Sequence, residues 1–477
     1  MTQTLRFRRL RFPSRHTTAK APIDQGGWGS FVTTFLLAII LITGPLVLGA
    51  ARLWIELPLL GVVALLFLVQ GVRLTRKRPL GMKRRLDVID LTVALFVVYA
   101  IARWLTSPVE YFSRIEVMAV VACAVVFLTC RYGMLNRTHC MALLYLLVVV
   151  GLGETVFGYY LSNHLDWSPF GPSETSQLHY APRWVGSYES PNHFACFLVM
   201  VIGAALALGS FSKLAWPLRI LFFYLAAMMF IGVMCSSSLT GWIALVAAIG
   251  ALVVMGIRNG TRRWWVPVSG GAALIVVLGF LFTFSAVLRP LPVVHNLDLG
   301  GKLDPSARFQ LVGEAIDIAQ NHPVFGAGPG TSLFLAQAHQ DAGSTNSPDY
   351  LQDDFLDCLD DYGLVGVALV LFFVFAVTLK FFSPLWVDNR WQDRVLVATG
   401  FAAWAALLVH SLVDINLHIP ANALVLFSLT GFALGRFREE KKKHWSTLSL
   451  TRLGRWPAAV VVVLSLIYGL VLTWTAL

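Results

Sequence analysis

Two arginines and a run of carboxylates are the side chains of this sequence best suited to chemistry on a phosphate. Arg183 opens the segment Arg183-Trp-Val-Gly-Ser-Tyr-Glu-Ser-Pro-Asn-His193, and Arg308 lies in a polar loop spanning about 289–362. A guanidinium grips phosphate or pyrophosphate through two parallel N–H donors. It also stabilises charge that develops on a departing phosphate. The competing reading of either arginine is a surface group paired with a lipid headgroup or an aspartate. Pro191 suits the first turn of a helix, so Asn192 and His193 stand at that helix's mouth, near its positive dipole end. That is a pocket for an anionic headgroup, although capping alone accounts for Asn192. His339, also in the long loop, is either an acid–base group or simply exposed.

The long loop carries eleven Asp and Glu against three Lys and Arg. Asp353, Asp354, Asp357, Asp360 and Asp361 recur at helical spacing, the pattern of a solvated acidic face or of groups that act on a substrate. Such a surplus argues against a broad polyanion-binding surface and leaves phosphate to a local pocket around one or two arginines. Asp414, in His410-Ser-Leu-Val-Asp-Ile-Asn-Leu-His-Ile-Pro420, is placed at the outer end of an apolar span. Ionisable groups there face a cavity or a partner; an ion pair with an outer arginine and the orientation of an active-site arginine are both compatible with it. No P-loop, Ser-His-Asp constellation or paired-histidine metal pattern is present.

The elements that must position these groups are membrane spans. The chain is 57% hydrophobic and 13% charged, outside the range of a soluble domain. Apolar runs long enough to cross a bilayer recur at about 29–50, 55–71, 88–105, 115–130, 140–161, 191–210, 215–236, 238–257, 265–288, 363–381, 394–414, 418–436 and 456–476. Backbone polar groups cannot go unpaired in lipid, so the spans are helices. The fold class expected is an all-α polytopic membrane protein with about 12–13 transmembrane helices and one large outer loop containing short helices. In that loop Ala307, Leu311, Ala315 and Ile318 predict one helix, with Ser306 as its cap. Phe325-Gly-Ala-Gly-Pro-Gly330 predicts a tight turn, and a second helix runs from about 349 to 361 into the span at Gly363.

Of the 37 Lys and Arg, 30 fall in alternate loops, and Arg52, Arg103, Arg114, Arg183, Arg289, Lys302 and Arg308 fall on the other side. This is the positive-inside pattern, with the N-terminus cytoplasmic. The net charge of +11 therefore sets orientation and implies no nucleic-acid partner. No cleavable signal peptide is expected, because the basic segment 6–20 precedes a span too long for one. The six cysteines lie mostly inside spans, giving neither a disulfide framework nor a metal spacing, so no metal and no cofactor are expected. The resulting organisation is a basic N-terminus (1–28), helices one to five (29–161), an outer loop (162–190), helices six to nine (191–288), the large loop proposed as catalytic (289–362), helices ten to twelve (363–436), a basic linker (437–455) and a last helix (456–477).

Four stretches resemble the O-antigen ligase and O-antigen polymerase superfamily, integral membrane glycosyltransferases of the GT-C type. Arg183 to Leu198 resembles the family's Arg…Asn-Pro-Asn entry into a span. Cys235-Ser-Ser-Ser-Leu-Thr-Gly241 resembles its small-residue stretch, without the arginine often found there. Arg308 through Ala319 to His322-Pro-Val-Phe-Gly-Ala-Gly-Pro-Gly330 resembles its arginine-bearing helix followed by His-Pro-x-x-Gly-x-Gly, and His410 to Ala421 resembles its late span. Together they cover roughly 180–430.

The resemblance implies transfer or polymerisation of undecaprenyl-pyrophosphate-linked glycan at the periplasmic face of the bacterial inner membrane, during lipopolysaccharide or exopolysaccharide biosynthesis. It implies a glycan donor on that lipid carrier and an acceptor that is lipid A–core or a growing glycan, with no required metal. Arg308 and Arg183 then match the pyrophosphate-gripping arginines, and Asp414 their supporting acid. Asn192, His193 and His322 fall in the matched motifs as substrate-binding candidates. One departure stands out: where the family often has a histidine proposed as general base, this chain has Gln352. A neutral Gln holds a hydroxyl but takes no proton, so Asp353, Asp354 or His339 substitutes, or no base is needed; a carboxylate, Asp353, is favoured. The competing class is a lipid-linked glycan transporter, which would carry charges at mid-membrane. Glu154, inside the fifth span, is the residue that fits that alternative.

Overall fold

The computed structural model describes residues 27–76, 87–132, 135–164, 183–258, 319–331, 353–383, 390–437 and 456–476. Every regular element among them is helical. In chain order they are α1 (Trp28–Leu46), α2 (Leu53–Arg76), α3 (Val88–Trp104), α4 (Glu110–Arg131), α5 (Arg137–Asn163), α6 (Pro191–Phe211), α7 (Trp216–Ser236), α8 (Leu239–Arg258), α9 (Asp354–Phe382), α10 (Trp391–His410), α11 (Pro420–Leu434) and α12 (Trp456–Ala476). Ten of them are long and apolar enough to cross a membrane. The protein is a multi-pass, all-α membrane protein. The span expected at 265–288 and the helix expected at 307–318 lie outside the described residues.

Local sequence explains where the helices start. Asp87 caps α3 in a reciprocal capping box with Asp90, Asn136 caps α5, and Ser190 caps α6 ahead of Pro191. Packing then sorts the bundle. Helix α6 is buried along nearly its whole length, between α7, α8 and α10, while α11 fills the space between α4 and α10. Helices α9 and α12 leave Leu371, Phe375, Val463 and Leu470 exposed, the apolar surface that hydrocarbon accepts. At the end carrying the Arg- and Lys-rich loops, Arg131 pairs with Asp87 and Asp90, joining α3 to α4. There too Arg137 meets both oxygens of Asp393 at 2.9 Å, joining α5 to α10.

Two of the boundary differences from the sequence expectation bear on the site. The first span ends at Leu46, and a 3-10 turn over Leu48–Ala50 follows it. Helix α10 ends at His410, so Asp414 belongs to the connecting loop 411–419 rather than to the end of a span.

The expected loop helix and span meet at Gly363 as one element with a break, where φ is 64° and ψ −169°. A break exposes the last carbonyls of one half and the first amides of the next. The Gly-rich turn satisfies both. Ala327 and Gly328 N–H donate to the carbonyls of Asp360 and Asp361, while Leu364 and Val365 N–H donate to those of Pro323 and Val324. Side chains would prevent this docking: a Cβ on Gly363 would stand 2.4 Å from the Gly326 nitrogen. Arg103 Nη2 to the Gly326 carbonyl (2.9 Å) and Ser113 Oγ to that of Pro329 (2.6 Å) fasten the turn to α3 and α4.

Candidate functional site

The end of the bundle away from the basic loops gathers most of the expected site residues that the structure describes. Arg183 begins a strap, residues 183–190, that crosses the ends of α5, α6 and α7. The chain leaves α7 through Ser237 in a left-handed conformation (φ 51°), which turns the final carbonyls of α7 toward the strap. Arg183 Nε donates to the Ser236 carbonyl at 2.8 Å, and Nη2 lies 3.5 Å from that of Ser237. Nη2 also reaches Asn192 Oδ1 at 3.3 Å. Arg183 and Asn192 are thus brought together, and Asn192 orients the arginine. The Ser-Ser-Ser stretch, for its part, supplies turn and cap: Ser238 Oγ accepts from Gly241 N–H at 3.1 Å, closing the first turn of α8.

His193, the next residue on α6, faces Asp414 across the mouth, its Nε2 3.8 Å from Oδ1. This separation is within reach of an ion pair when the ring is protonated and is too long for a hydrogen bond. Asp414 Oδ1 accepts from Ile415 N–H at 2.9 Å, whereas the buried Oδ2 has no partner among the described residues. Burial opposes ionisation of Asp414. The imidazoles of His193 and His410 and the Ile415 amide outweigh it and hold the carboxyl below the usual carboxylate range. The expected partner of Asp414 was an arginine; among the described residues its partner is His193.

Beneath the mouth runs a buried polar network. Tyr188 Oη donates to Asn422 Oδ1 (3.2 Å), and Asn422 Nδ2 donates to Asn416 Oδ1 and to the His193 carbonyl (3.0 Å each). Asn416 Nδ2 meets His410 Nδ1 at 2.7 Å, and His410 Nε2 meets Thr240 Oγ1 at 3.2 Å. Because an amide nitrogen only donates, His410 Nδ1 accepts and Nε2 carries the proton. The network ties the strap, α6, α8, α10 and α11 into one rigid floor.

A second charged group lies on the first half of α9. Asp354, Asp357, Asp360 and Asp361 are all buried, which overturns the reading of a solvated acidic face. Asp354 accepts from the amides of Asn416 (3.0 Å) and Leu417 (3.1 Å), and from His418 Nδ1 (3.2 Å). His418 Nε2 lies 2.9 Å from Asp357 Oδ2 and 3.7 Å from Glu116 Oε1 of α4. Burial alone would lower the His418 pKa; Asp357, Glu116 and the hydrogen bonds to Asp354 and Asp357 raise it well above the usual imidazole value. The ring is an imidazolium clamped between carboxylates. Asp361 accepts from Gly330 N–H and, at 3.1 Å, from Thr331 N–H, which locks the Gly-rich turn. Asp360 is buried with neither carboxylate oxygen bonded among the described residues.

Asp357, Asp361 and His418 offer ligand atoms within 4.8 Å of one another and so could hold a cation. Each atom set is already engaged in the contacts above. Asp353 caps α9 through Phe355 N–H at 2.8 Å and is half-buried. Burial pushes its carboxyl above the usual range, against the opposing amides of Phe355 and Leu356. His322 is exposed, with its carbonyl accepting from Gly326 N–H at 2.9 Å, and it does not reach the mouth through any described contact. Arg308, His339 and Gln352 lie outside the described residues.

Residues 223–371 match the family model described as O-antigen ligase. Over that region the chain is similar to the O-antigen ligase family. The matched region runs from α7 into α9, and so takes in the α7–α8 turn, the docked Gly-rich turn and the aspartate-bearing half of α9. The strap, Asp414 and His418 lie outside it, contributed by flanking parts of the same bundle. Nothing in the match supports the alternative of a lipid-linked glycan transporter. No curated protein matches the chain.

Sequence reasoning missed His418 and Glu116 as partners of the α9 aspartates, and His410, Asn416 and Asn422 as the floor of the mouth. Glu116 was visible as an ionisable group just inside an expected span, which marks a residue with a buried partner. Nothing in sequence spacing pointed to His418, because its partners come from two helices far away in the chain.

Proposed function

We propose that this O-antigen ligase-type protein is a glycosyltransferase of the bacterial inner membrane, acting at the periplasmic face. It transfers or polymerises undecaprenyl-pyrophosphate-linked glycan onto an acceptor hydroxyl. The observation that carries the reading is Arg183, locked by Asn192 and the end of α7 beside the His193–Asp414 pair, in a chain similar over residues 223–371 to the O-antigen ligase family.

In this reading Arg183 and Arg308 bind the donor's pyrophosphate. The acceptor oxygen attacks the anomeric carbon, the bond from that carbon to the pyrophosphate oxygen breaks, and undecaprenyl pyrophosphate departs with the electron pair. The arginines stabilise the charge that develops on it. Holding donor and acceptor in line supplies much of the remaining acceleration. The acceptor proton goes to Asp353, whose raised pKa makes it a better proton acceptor than an ordinary aspartate. Asp354 is less suited, since two backbone amides and His418 occupy its oxygens. Lipid A–core is the acceptor of a ligase, and a growing lipid-linked glycan that of a polymerase.

The test is the length of lipid-linked glycan that accumulates when the gene is deleted from its host. Long undecaprenyl-linked chains with unmodified lipid A–core identify a ligase, and accumulated single repeats identify a polymerase. Unchanged lipid-linked glycans and surface polysaccharide would overturn the assignment.

A further inference from the structure

Glu154 is fully buried within α5, is in no salt bridge among the described residues, and the reaction above makes no use of it. Its oxygens are both committed to one residue of the strap. Oε2 accepts from Ser187 N–H at 2.9 Å, and Oε1 lies 2.8 Å from Ser187 Oγ. The same Oγ lies 2.5 Å from the carbonyl oxygen of Pro45. A serine hydroxyl has a single proton to give, and a carbonyl can only accept. Pro45 sits in the last turn of α1, where carbonyls lack an intrahelical donor. The hydroxyl proton therefore belongs to Pro45, since the reverse assignment sets two bare oxygen lone pairs against each other at 2.5 Å. The short approach of Glu154 Oε1 to Oγ then needs a proton of its own, and that proton is on the carboxyl.

We propose that Glu154 is a neutral carboxylic acid acting as a positioning residue: it fixes the strap turn at Gly186–Ser187 and thereby the placement of Arg183. One carboxyl oxygen accepts and the other donates, which complements the N–H and the remaining acceptor site of Ser187. A neutral, fully hydrogen-bonded acid also avoids the cost of an unpaired charge inside the bundle. The turn lies flush on the carboxyl. Gly186 has φ +59°, and a Cβ there would stand 2.6 Å from Glu154 Oε2. Three residues separate this anchor from Arg183. Trp184 N–H to the Cys235 carbonyl at 3.0 Å and Tyr188 N–H to that of Val185 at 3.0 Å leave the intervening chain little freedom. The intramembrane carboxyl that the sequence offers as a transport charge is thereby accounted for as part of the arginine's mount.

The role of Glu154 in placing Arg183 rests on the glycosyltransferase reading, while its protonation stands apart from it. The experiment compares full-length wild type, Glu154→Gln and Glu154→Ala, each purified and reconstituted in liposomes. Glycan transfer from lipid-linked donor and the infrared spectrum of protonated carboxyls at neutral pH are recorded for each. Gln donates and accepts at the same two points, so E154Q keeps transfer close to wild type. E154A loses both, and the displaced arginine lowers transfer by about tenfold or more at equal amounts of inserted protein. The spectrum of E154Q lacks one protonated-carboxyl band that wild type shows. An unchanged band pattern overturns the proposal, as does E154Q transfer as poor as that of E154A, or E154A transfer equal to wild type. If E154A fails to insert, E154Q and the infrared comparison still decide. Inactive wild type with the band present would overturn the glycosyltransferase reading and leave the neutral carboxyl standing.

Discussion

Two charged groups share one end of the bundle and are built in opposite ways. Arg183 is gripped by backbone carbonyls at the end of α7 and by the Asn192 amide, contacts that fix the direction of the guanidinium. Asp414, facing His193, keeps a buried oxygen without a partner among the described residues. His418 instead sits between Asp354 and Asp357, with Glu116 close by, and Asp354 and Asp361 are further bound to backbone amides. An unsatisfied buried oxygen costs roughly 1–3 kcal/mol, and among the described residues Asp414 Oδ2 is a free acceptor at the mouth. Asp354, Asp357 and Asp361 have hydrogen bonds made, unlike neighbouring Asp360 among the described residues, and His418 works as a clamp, tying loop 411–419, which carries Asp414, to α9. On the proposed function, one region meets the donor and the other holds that region in place.

The contrast is easiest to break at the clamp. His418→Ala leaves buried Asp354 and Asp357 without their cation, and removing one member of a buried ion pair costs about 3–5 kcal/mol. A thermal unfolding midpoint in detergent should fall sharply. A midpoint equal to that of wild type would mean the aspartates already carry protons and the clamp is not ionic.

At the mouth the expected loss is in rate rather than stability. On the proposed function Arg183→Ala removes a donor aimed at developing charge, worth roughly 10²–10³ in transfer by analogy with oxyanion-hole donors. Its midpoint should drop far less than that of the His418 variant. Arg183→Lys keeps the charge and loses the fork, and so should fall between the two. Normal glycan output from Arg183→Ala would erase the distinction between the regions. Asp353 separates capping from proton transfer more finely. Asn caps a helix as well as Asp, so Asp353→Asn should leave the midpoint unchanged while lowering transfer by about 10² if the carboxylate is the base. Undiminished transfer would show that no base is needed at that position.

How much of this was legible depended on whether a residue's partner lay nearby in the chain. The helical, multi-pass architecture followed from apolar runs, because lipid leaves no other solution for a backbone. The mouth of α6 followed from Ser190-Pro-Asn-His193, a local signal. The Gly-rich turn was expected from its own residues, but its docking at Gly363 was not, since that depends on carbonyls and amides some 35 residues away along the chain. The α9 aspartates were recognised as a group and half-assigned to solvent, because helical spacing reports which residues share a face but not what covers that face. The cover is His418 and Glu116, from a loop after α10 and from α4. Asp414 was expected to face an arginine; among the described residues it meets His193, and Arg308 lies outside them.

The two regions should also come apart with pH, in opposite directions. His418 has a folded-state pKa raised well above its ordinary 6.5, so the stability it contributes is fully present below 6.5 and is lost as pH rises through the folded value. Asp414 is depressed below its ordinary 3.8, so its contribution is present above 3.8 and is lost as pH falls through the folded value. Unfolding midpoints measured from acid to alkaline pH for wild type, His418→Gln and Asp414→Asn would separate these effects. The difference between wild type and His418→Gln should shrink on the alkaline side and persist in acid down to the range where carboxylates protonate. The difference between wild type and Asp414→Asn should shrink in acid. It should also be the smaller of the two, because the 3.8 Å His193 contact is longer than either contact that His418 makes with Asp354 or Asp357. A His418→Gln difference that stays constant through alkaline pH would mean the ring is neutral when folded, and the clamp would then be a hydrogen-bonded cap little different in kind from the mouth.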